Sequence, residues 1–190
     1  MIQRTRELWR KAAHISIGTA ALLGAYCVGQ RWGGNTLDAT LGGVLALLIL
    51  ADVLIADFGW KLPLYHNLQR AHEERGLHSA TLAVLGSIIA YKLFVLPVAI
   101  AAIGMLVYGD AAAAIAGILT GTGRKKRTAA RIIALLAVNL AIGVFVFGWI
   151  GAAMAVAATL AECCVKQIDD ALTIPLFAGI VGQLLVLYFL

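Results

Sequence analysis

The chain has 190 residues, of which 62% are hydrophobic and 13% are charged, and its mean hydropathy is +0.91. Soluble domains are less apolar and carry about 25% charged residues, so the composition excludes an ordinary soluble protein and indicates an integral membrane protein. The net charge of +5 does not require a nucleic-acid partner, because basic loops beside anionic lipid are usual in membrane proteins. No basic groove with interleaved aromatic residues is visible, and no nucleic-acid partner is expected.

Apolar segments of about the length needed to cross a ~30 Å hydrocarbon core take up almost the whole chain. They leave no room for a soluble domain, so residues 1–190 are predicted to form a single transmembrane domain. The first segment has the basic flank of a signal peptide but lacks a convincing cleavage site, and we expect a retained helix. The predicted fold is all-α, a polytopic membrane protein with about seven transmembrane helices. These helices are predicted at residues 12–28, 37–58, 77–94, 95–119, 129–148, 149–165 and 172–190.

Two pairs of neighbouring segments are joined by very few residues. Pro97 supplies the break between the third and fourth segments, and Gly148 and Gly151 supply the break between the fifth and sixth. The aromatic residues at these breaks suit the membrane interface. Both joints are therefore predicted to be tight turns at a membrane surface.

The basic residues indicate an orientation. With the N-terminus in the cytoplasm, thirteen of the fifteen Lys and Arg residues lie on the cytoplasmic side, and Arg31 and Lys92 lie outside. This bias follows the positive-inside rule. This distribution supports seven helices, because with one helix fewer the basic residues that follow it would lie on the opposite side of the membrane.

Asp110 stands beside Gly109 within a long apolar segment. A charged carboxylate at bilayer depth costs at least about 2.5–3.5 kcal/mol on insertion scales. It therefore needs a buried partner, an aqueous cavity or a metal ion. Asp110 is the first candidate for a functional residue.

Acidic and basic residues accumulate on the predicted cytoplasmic side, while the outer loops hold almost none. Such a surface suits a soluble and highly charged substrate, because carboxylates can hold a divalent cation while basic groups hold phosphates. A transporter would instead concentrate polar residues at mid-membrane, commonly with internal repeats, and no repeat is found.

Several short motifs occur in a fixed order along the chain. An Arg-Lys-x-x-His opening is followed by a glutamate and a threonine, a central Gly-Asp with a glycine seven residues after the Asp, a late glutamate, and an acidic pair before Ile-Pro. The residues are Arg10, Lys11 and His14; Glu73 or Glu74 with Thr81; Gly109, Asp110 and Gly117; Glu162; and Asp169 and Asp170 before Ile174-Pro175. Together these motifs span nearly the whole chain, and they resemble the motifs of the dolichol kinase, phytol kinase and CTP-dependent diacylglycerol kinase family.

This resemblance implies a membrane lipid kinase. Its members transfer the γ-phosphoryl group of CTP, with Mg²⁺, to the hydroxyl of a membrane-embedded alcohol such as a polyprenol or dolichol, phytol, diacylglycerol or an isoprenoid glycerol ether. The alcohol is not encoded in a readable motif. The active site is expected at the cytoplasmic surface, where CTP and a lipid in the bilayer can meet.

The resemblance also implies roles for individual residues. Asp110, Lys11 and His14 are the expected catalytic residues, with Asp110, Asp169, Asp170 and Glu162 holding the metal. The expected nucleotide-binding residues are Arg10, Lys11, Gly109, Gly117, Gly121, Lys125 and Lys126.

Structural interpretations remain open for many of these residues. Asp169 and Asp170 also suit a helix start, and Glu162 could pair with Lys166 one turn later. The basic pair near the N-terminus could serve topology alone, the glycines could serve helix packing, and His14 could be a satisfied interfacial histidine. Three further polar residues in apolar segments, with no motif attached, are interpreted as packing contacts: Asp52, Asn139 and Gln183.

The chain departs from the family pattern after the glycine-rich stretch. Members usually carry a Lys-Ser-x-Glu-Gly-Ser type segment, whereas residues 126–131 read Lys-Arg-Thr-Ala-Ala-Arg and lack the Glu and the Gly. The nucleotide contacts are accordingly open. Two alternative functions remain open. One is a CTP-dependent cytidylyltransferase that makes a CDP-lipid, and the other is a non-enzymatic small membrane transporter or structural protein.

Overall fold

The computed structural model describes residues 2–58, 78–120, 124–165 and 169–189. Within these ranges the chain is helical and contains no strand, as the composition predicts. The elements are α1 (Ile2–Trp32), α2 (Gly34–Phe58), α3 (Ser79–Leu93), α4 (Leu96–Gly104), a π-helical segment (Met105–Gly109), α5 (Asp110–Leu119), α6 (Arg124–Cys164) and α7 (Asp170–Phe189).

Four helices in the described ranges are long and apolar enough to cross a membrane: Gly34–Asp57, Leu96–Leu119, Thr128–Cys164 and Asp170–Phe189. This is fewer than the seven predicted. One reason is that α3 has 15 residues and so extends only about 22 Å, short of a ~30 Å core. Another is that the fifth and sixth predicted segments are the two halves of α6, which count together as one helix here. The third is that α1, which holds the first predicted segment, is not among the four.

A break divides α6 at the place predicted from its glycines and aromatics. Phe147 leaves the helical conformation, and Gly148 has φ +57°, a left-handed value that favours glycine. The two halves then pack closely. A Cβ atom on Gly143 would overlap with the carbonyl oxygen of Gly151, and a Cβ on Gly151 would overlap with that of Gly143. Small residues at this crossing therefore allow a tight helical hairpin.

The other predicted joint lies between α3 and α4. α3 ends at Leu93 and α4 begins at Leu96, with Pro97 in its first turn, where a missing N–H costs no helical hydrogen bond. From there α4, the π-helical segment and α5 form one continuous helix over Leu96–Leu119. The predicted turn before this helix is confirmed.

Glycines bring the helices into close contact elsewhere in the bundle. A Cβ on Gly18 of α1 would meet Val107 of the π-helical segment, and one on Gly86 of α3 would meet the Ala171 carbonyl of α7. The core at these crossings is built mainly from alanine, methionine and β-branched side chains. Close approach of small residues is the usual way that membrane helices associate.

Many large apolar side chains face outward. In α2, for example, Leu47 is 67% exposed and Leu50 is 54% exposed. A soluble protein rarely exposes so much apolar surface, whereas lipid covers it at no cost. The outward faces of the helices thus agree with the composition in indicating a membrane protein.

Antiparallel packing gathers particular residues at each end of the bundle. Asp52, near the end of α2, contacts His78 at the start of α3, while Asp38 near the start of α2 pairs with Lys92 near the end of α3. In the same way Lys11 of α1 meets Asp110 of α5. We refer to the end that holds Lys11 and Asp110 as the Lys11 end.

Candidate functional site

The centre of the candidate site is an ion pair between α1 and α5. Lys11 Nζ donates a hydrogen bond to Asp110 Oδ2 at 2.5 Å, and the side chains are 5% and 18% exposed. This is the buried partner that a carboxylate at this position requires. The pair also joins two motifs that lie 99 residues apart in the sequence.

Neighbouring contacts hold α1 in this register. Gly18 lets α1 approach the Val107 side chain closely, and the hydroxyl oxygens of Thr19 and Tyr108 are 2.9 Å apart, within hydrogen-bond distance. Both contacts lie within about two turns of Lys11 and within one turn of Asp110. The ion pair is thus fixed by packing on its apolar side.

Asp110 follows directly after the π-helical segment and is the first residue of α5. A π-helical turn holds an extra residue and changes the direction of the side chains that follow it, and such turns frequently occur at functional sites. The segment therefore contributes to the direction in which Asp110 leaves the helix.

A second charged pair lies between the two halves of α6. Arg131 Nη2 is 3.7 Å from Glu162 Oε1, so Glu162 pairs across the hairpin. Its other oxygen, Oε2, is buried and has no hydrogen-bond partner among the described residues. The alternative partner Lys166 lies outside those residues.

The two pairs belong to one charged cluster. Glu162 lies within electrostatic range of Lys11 and Arg131, and also of Asp110 and Asp170. Three carboxylates and two basic groups from four parts of the chain therefore converge at the Lys11 end. We call these five residues the charged cluster.

The acidic pair before Ile-Pro divides into two roles. Asp169 Oδ1 accepts a hydrogen bond from the Ala171 backbone N–H at 2.8 Å, and its carbonyl accepts bonds from Leu172 and Thr173. Asp169 is therefore the cap of α7. Asp170 occupies the first turn, where a carboxylate interacts favourably with the helix dipole, and it lies near Glu162.

The carboxylates of the charged cluster are of the type that binds Mg²⁺ in proteins. No group of three His, Cys, Asp or Glu side chains in the described ranges forms a complete metal site. Mg²⁺ in nucleotide enzymes is, however, usually bound by one or two carboxylates together with substrate phosphates. One or two of Asp110, Glu162 and Asp170 would supply those carboxylates.

The remaining predicted residues are placed as follows. His14 is half-buried one turn after Lys11 on α1, and Lys126 is exposed in the first turn of α6. Gly109 and Gly117 are buried inside helices, so a role for either at a phosphate stays a prediction. The side chains of Arg10 and Lys125, together with residues Glu73, Glu74, Gly121 and Gly123, lie outside the described part.

Two polar residues that were interpreted as packing contacts do join helices. Asp52 Oδ2 accepts hydrogen bonds from the His78 backbone N–H at 3.0 Å and from Thr81 Oγ1 at 2.7 Å, and its Oδ1 is 2.7 Å from His78 Nδ1. Gln183 Oε1 accepts a bond from the Val95 N–H at 2.8 Å, before α4 begins. These contacts provide hydrogen-bond acceptors for backbone N–H groups at the starts of α3 and α4.

Asn139 differs from both. It is fully buried in α6, and neither Nδ2 nor Oδ1 has a hydrogen-bond partner within the part of the chain that the structure describes. Its Oδ1 occupies the space that a Cβ on Gly109 would fill, directly beside Asp110. The sequence gives little sign of this, because Asn139 stands in an apolar segment without a motif.

Comparison with protein-family models, with curated proteins and with solved structures gave no match.

Proposed function

We propose that the chain is a membrane lipid kinase, which transfers the γ-phosphoryl group of CTP to the hydroxyl of a membrane-embedded alcohol. The observation that supports this most directly is the contact between Lys11 and Asp110. Each belongs to a different motif of the resemblance to the dolichol, phytol and CTP-dependent diacylglycerol kinases. Residues of two motifs that serve one site must lie close together, and Lys11 and Asp110 do so in a buried pair.

Phosphoryl transfer from a nucleotide depends on positioning and on the stabilisation of negative charge. The bond between the γ-phosphorus and the bridging oxygen of CTP breaks, a new bond forms to the lipid oxygen, and CDP leaves. A bound Mg²⁺ supplies charge neutralisation at the phosphate oxygens. One or two of the carboxylates of Asp110, Glu162 and Asp170 would hold it, together with the phosphates.

The basic residues would contact the phosphates. Lys11 reaches Asp110 through a flexible side chain, and its ammonium could bind a phosphate oxygen from the same place. Arg131 lies at the edge of the cluster with a guanidinium that is partly exposed. This geometry suits recognition of a phosphate arriving from water, because Arg binds such oxygens through two N–H groups.

The acceptor hydroxyl must lose its proton during transfer. We assign this step to His14, which lies one turn from Lys11 and can take up a proton near neutral pH. The proton moves from the lipid oxygen to the imidazole as the new phosphorus–oxygen bond forms. The lipid phosphate remains in the membrane.

The proposal includes seven transmembrane helices with the Lys11 end in the cytoplasm. The gathering of basic residues near this end supports the orientation. A site at that surface would be open to CTP, while the tail of the alcohol lies in the bilayer.

Product analysis tests the proposed function. Purified protein in lipid nanodiscs is incubated with γ-labelled CTP, Mg²⁺ and a lipid extract, and the products are separated. The proposal expects labelled lipid phosphate and CDP. Pyrophosphate with a CDP-lipid would indicate the cytidylyltransferase, and no turnover of CTP, ATP, GTP or UTP with diverse alcohols would indicate a non-enzymatic protein.

A further inference from the structure

The starting observation is the unusual position of Asn139. Its side chain is 0% exposed, and both of its amide atoms lack a hydrogen-bond partner among the described residues. Buried amides normally have partners, because desolvation without a hydrogen bond is costly. The half-buried amide of Gln183, by contrast, accepts a hydrogen bond from the Val95 N–H.

Asn139 lies on the membrane side of the charged cluster. Arg131 and Asn139 are eight residues apart on α6, so Asn139 is about 12 Å deeper in the bundle. On the facing helix it contacts Gly109, next to Asp110. The amide thus stands between the charged groups and the apolar interior.

A glycine makes this position possible. Any side chain at position 109 would take the space that Asn139 Oδ1 occupies, and Leu135 borders the same space. The amide is therefore brought against the backbone that carries Asp110.

The chemistry of the group indicates its ligand. A neutral amide both donates and accepts hydrogen bonds, as a hydroxyl does, whereas phosphates and cations are better served by the charged residues above it. A molecule that approaches from the bilayer, with its tail in hydrocarbon, would present a hydroxyl at this depth.

We propose that Asn139 is a binding residue for the hydroxyl of the membrane-embedded alcohol and holds that hydroxyl beside Asp110. The inference rests on the proposed function for its choice of ligand. It adds a residue that belongs to none of the motifs noted in the sequence.

Alcohol binding is measured on the full-length protein in nanodiscs, without nucleotide, from the shift in melting temperature. The probes are phytol, dioleoylglycerol and a polyprenol, each compared with its O-methyl ether. The variants are Asn139→Leu, which keeps the volume, and Asn139→Ala as a second choice if the first does not fold. Gln183→Leu is the matched control, because it removes a membrane amide that has a partner.

We expect at least one alcohol to stabilise the unmodified protein more than its ether does. Asn139→Leu should keep the melting temperature of the free protein, since the amide that it removes has no partner among the described residues. It should bind that alcohol about tenfold more weakly, the effect of one lost hydrogen bond. Gln183→Leu should lower the melting temperature and leave alcohol affinity unchanged.

Full hydroxyl-dependent binding in both Asn139 variants, or no hydroxyl-dependent binding in the unmodified protein, would overturn the inference. The outcome is separable from the kinase proposal. Alcohol binding that depends on Asn139 in a protein without CTP turnover would support the inference and reject the kinase. Where turnover is observed, Asn139→Leu should raise KM for the alcohol and leave KM for CTP unchanged.

Discussion

Lys11 Nζ and Asp110 Oδ2 are 2.5 Å apart, and the lysine is almost completely buried. Each charge removes much of the cost of burying the other. Removing one partner of such a pair typically costs about 3–5 kcal/mol, because the other charge is left uncompensated. This one contact therefore affects both the stability of the bundle and the chemistry proposed for the site.

A double-mutant cycle separates these two effects. Asp110→Asn and Lys11→Met should each lower the melting temperature, whereas the double variant should recover most of the loss, since it leaves no unpaired charge. The measurement is thermal unfolding in detergent. The exposed pair of Asp38 and Lys92 is the matched control, and its removal should cost no more than about 1 kcal/mol. Additive losses in the Lys11 and Asp110 cycle would show that the two side chains do not interact.

Glu162 is expected to act on the metal. Glu162→Gln keeps the shape and removes a negative charge, so the Mg²⁺ concentration for half-maximal lipid phosphorylation should rise about tenfold. Asp38→Asn, which removes an acidic charge at the opposite end of the bundle, should leave it unchanged. An unchanged Mg²⁺ requirement in the Glu162 variant would remove this residue from the metal site.

The hairpin of α6 should be sensitive to a single methyl group. Gly143→Ala places a Cβ against the backbone carbonyl of Gly151, which cannot move aside as a flexible side chain would. We expect a loss of at least about 1–3 kcal/mol in unfolding free energy. Gly42→Ala in α2, where no atom lies within 4 Å of the added Cβ, should have no such effect. Equal stability of the two variants would contradict the close crossing.

Cysteine labelling tests the proposed orientation. In a background that lacks Cys27, Cys163 and Cys164, Lys126→Cys should react with a membrane-impermeant reagent only from the cytoplasmic side. Asn35→Cys, in the first turn of α2, should react only from outside. Both positions are exposed in the structure. Reaction of Lys126→Cys from outside would refute both the topology and the location of the site.

Several features of the fold could be read from local sequence. Gly148 and Pro97 mark the ends of helices because of their own backbone preferences, and the structure breaks the chain at both. The number of membrane-crossing helices was harder to predict. Apolar segments give a total length, but α3 is short, the two halves of α6 count together, and α1 is not among the helices that meet the length and apolarity required. Seven predicted segments therefore correspond to four such helices in the described residues.

The candidate site could be predicted only in part. The sequence predicts Asp110 as a site residue because an isolated carboxylate in an apolar segment is costly. Lys11, which the family resemblance also assigns to the site, is its hydrogen-bond partner in the structure. The pairing of Arg131 with Glu162 could not be predicted from local sequence, because it depends on the hairpin, which brings together residues 31 positions apart. The π-helical segment depends on packing between helices, for which no residue in Met105–Gly109 gives a local signal. That Asn139 has no hydrogen-bond partner among the described residues likewise depends on which residues face it.

The most direct test of the central claim is the specific activity of Asp110→Asn, measured with γ-labelled CTP and lipid alcohol on protein whose folded fraction has been determined by its melting curve. The double variant Lys11→Met with Asp110→Asn accompanies it, so that the unpaired buried lysine left by the single variant cannot explain the result. CTP-dependent lipid phosphorylation should fall at least about 100-fold in both variants, because the carboxylate that would hold Mg²⁺ is gone. Near-normal activity per folded molecule in either variant would contradict the central claim.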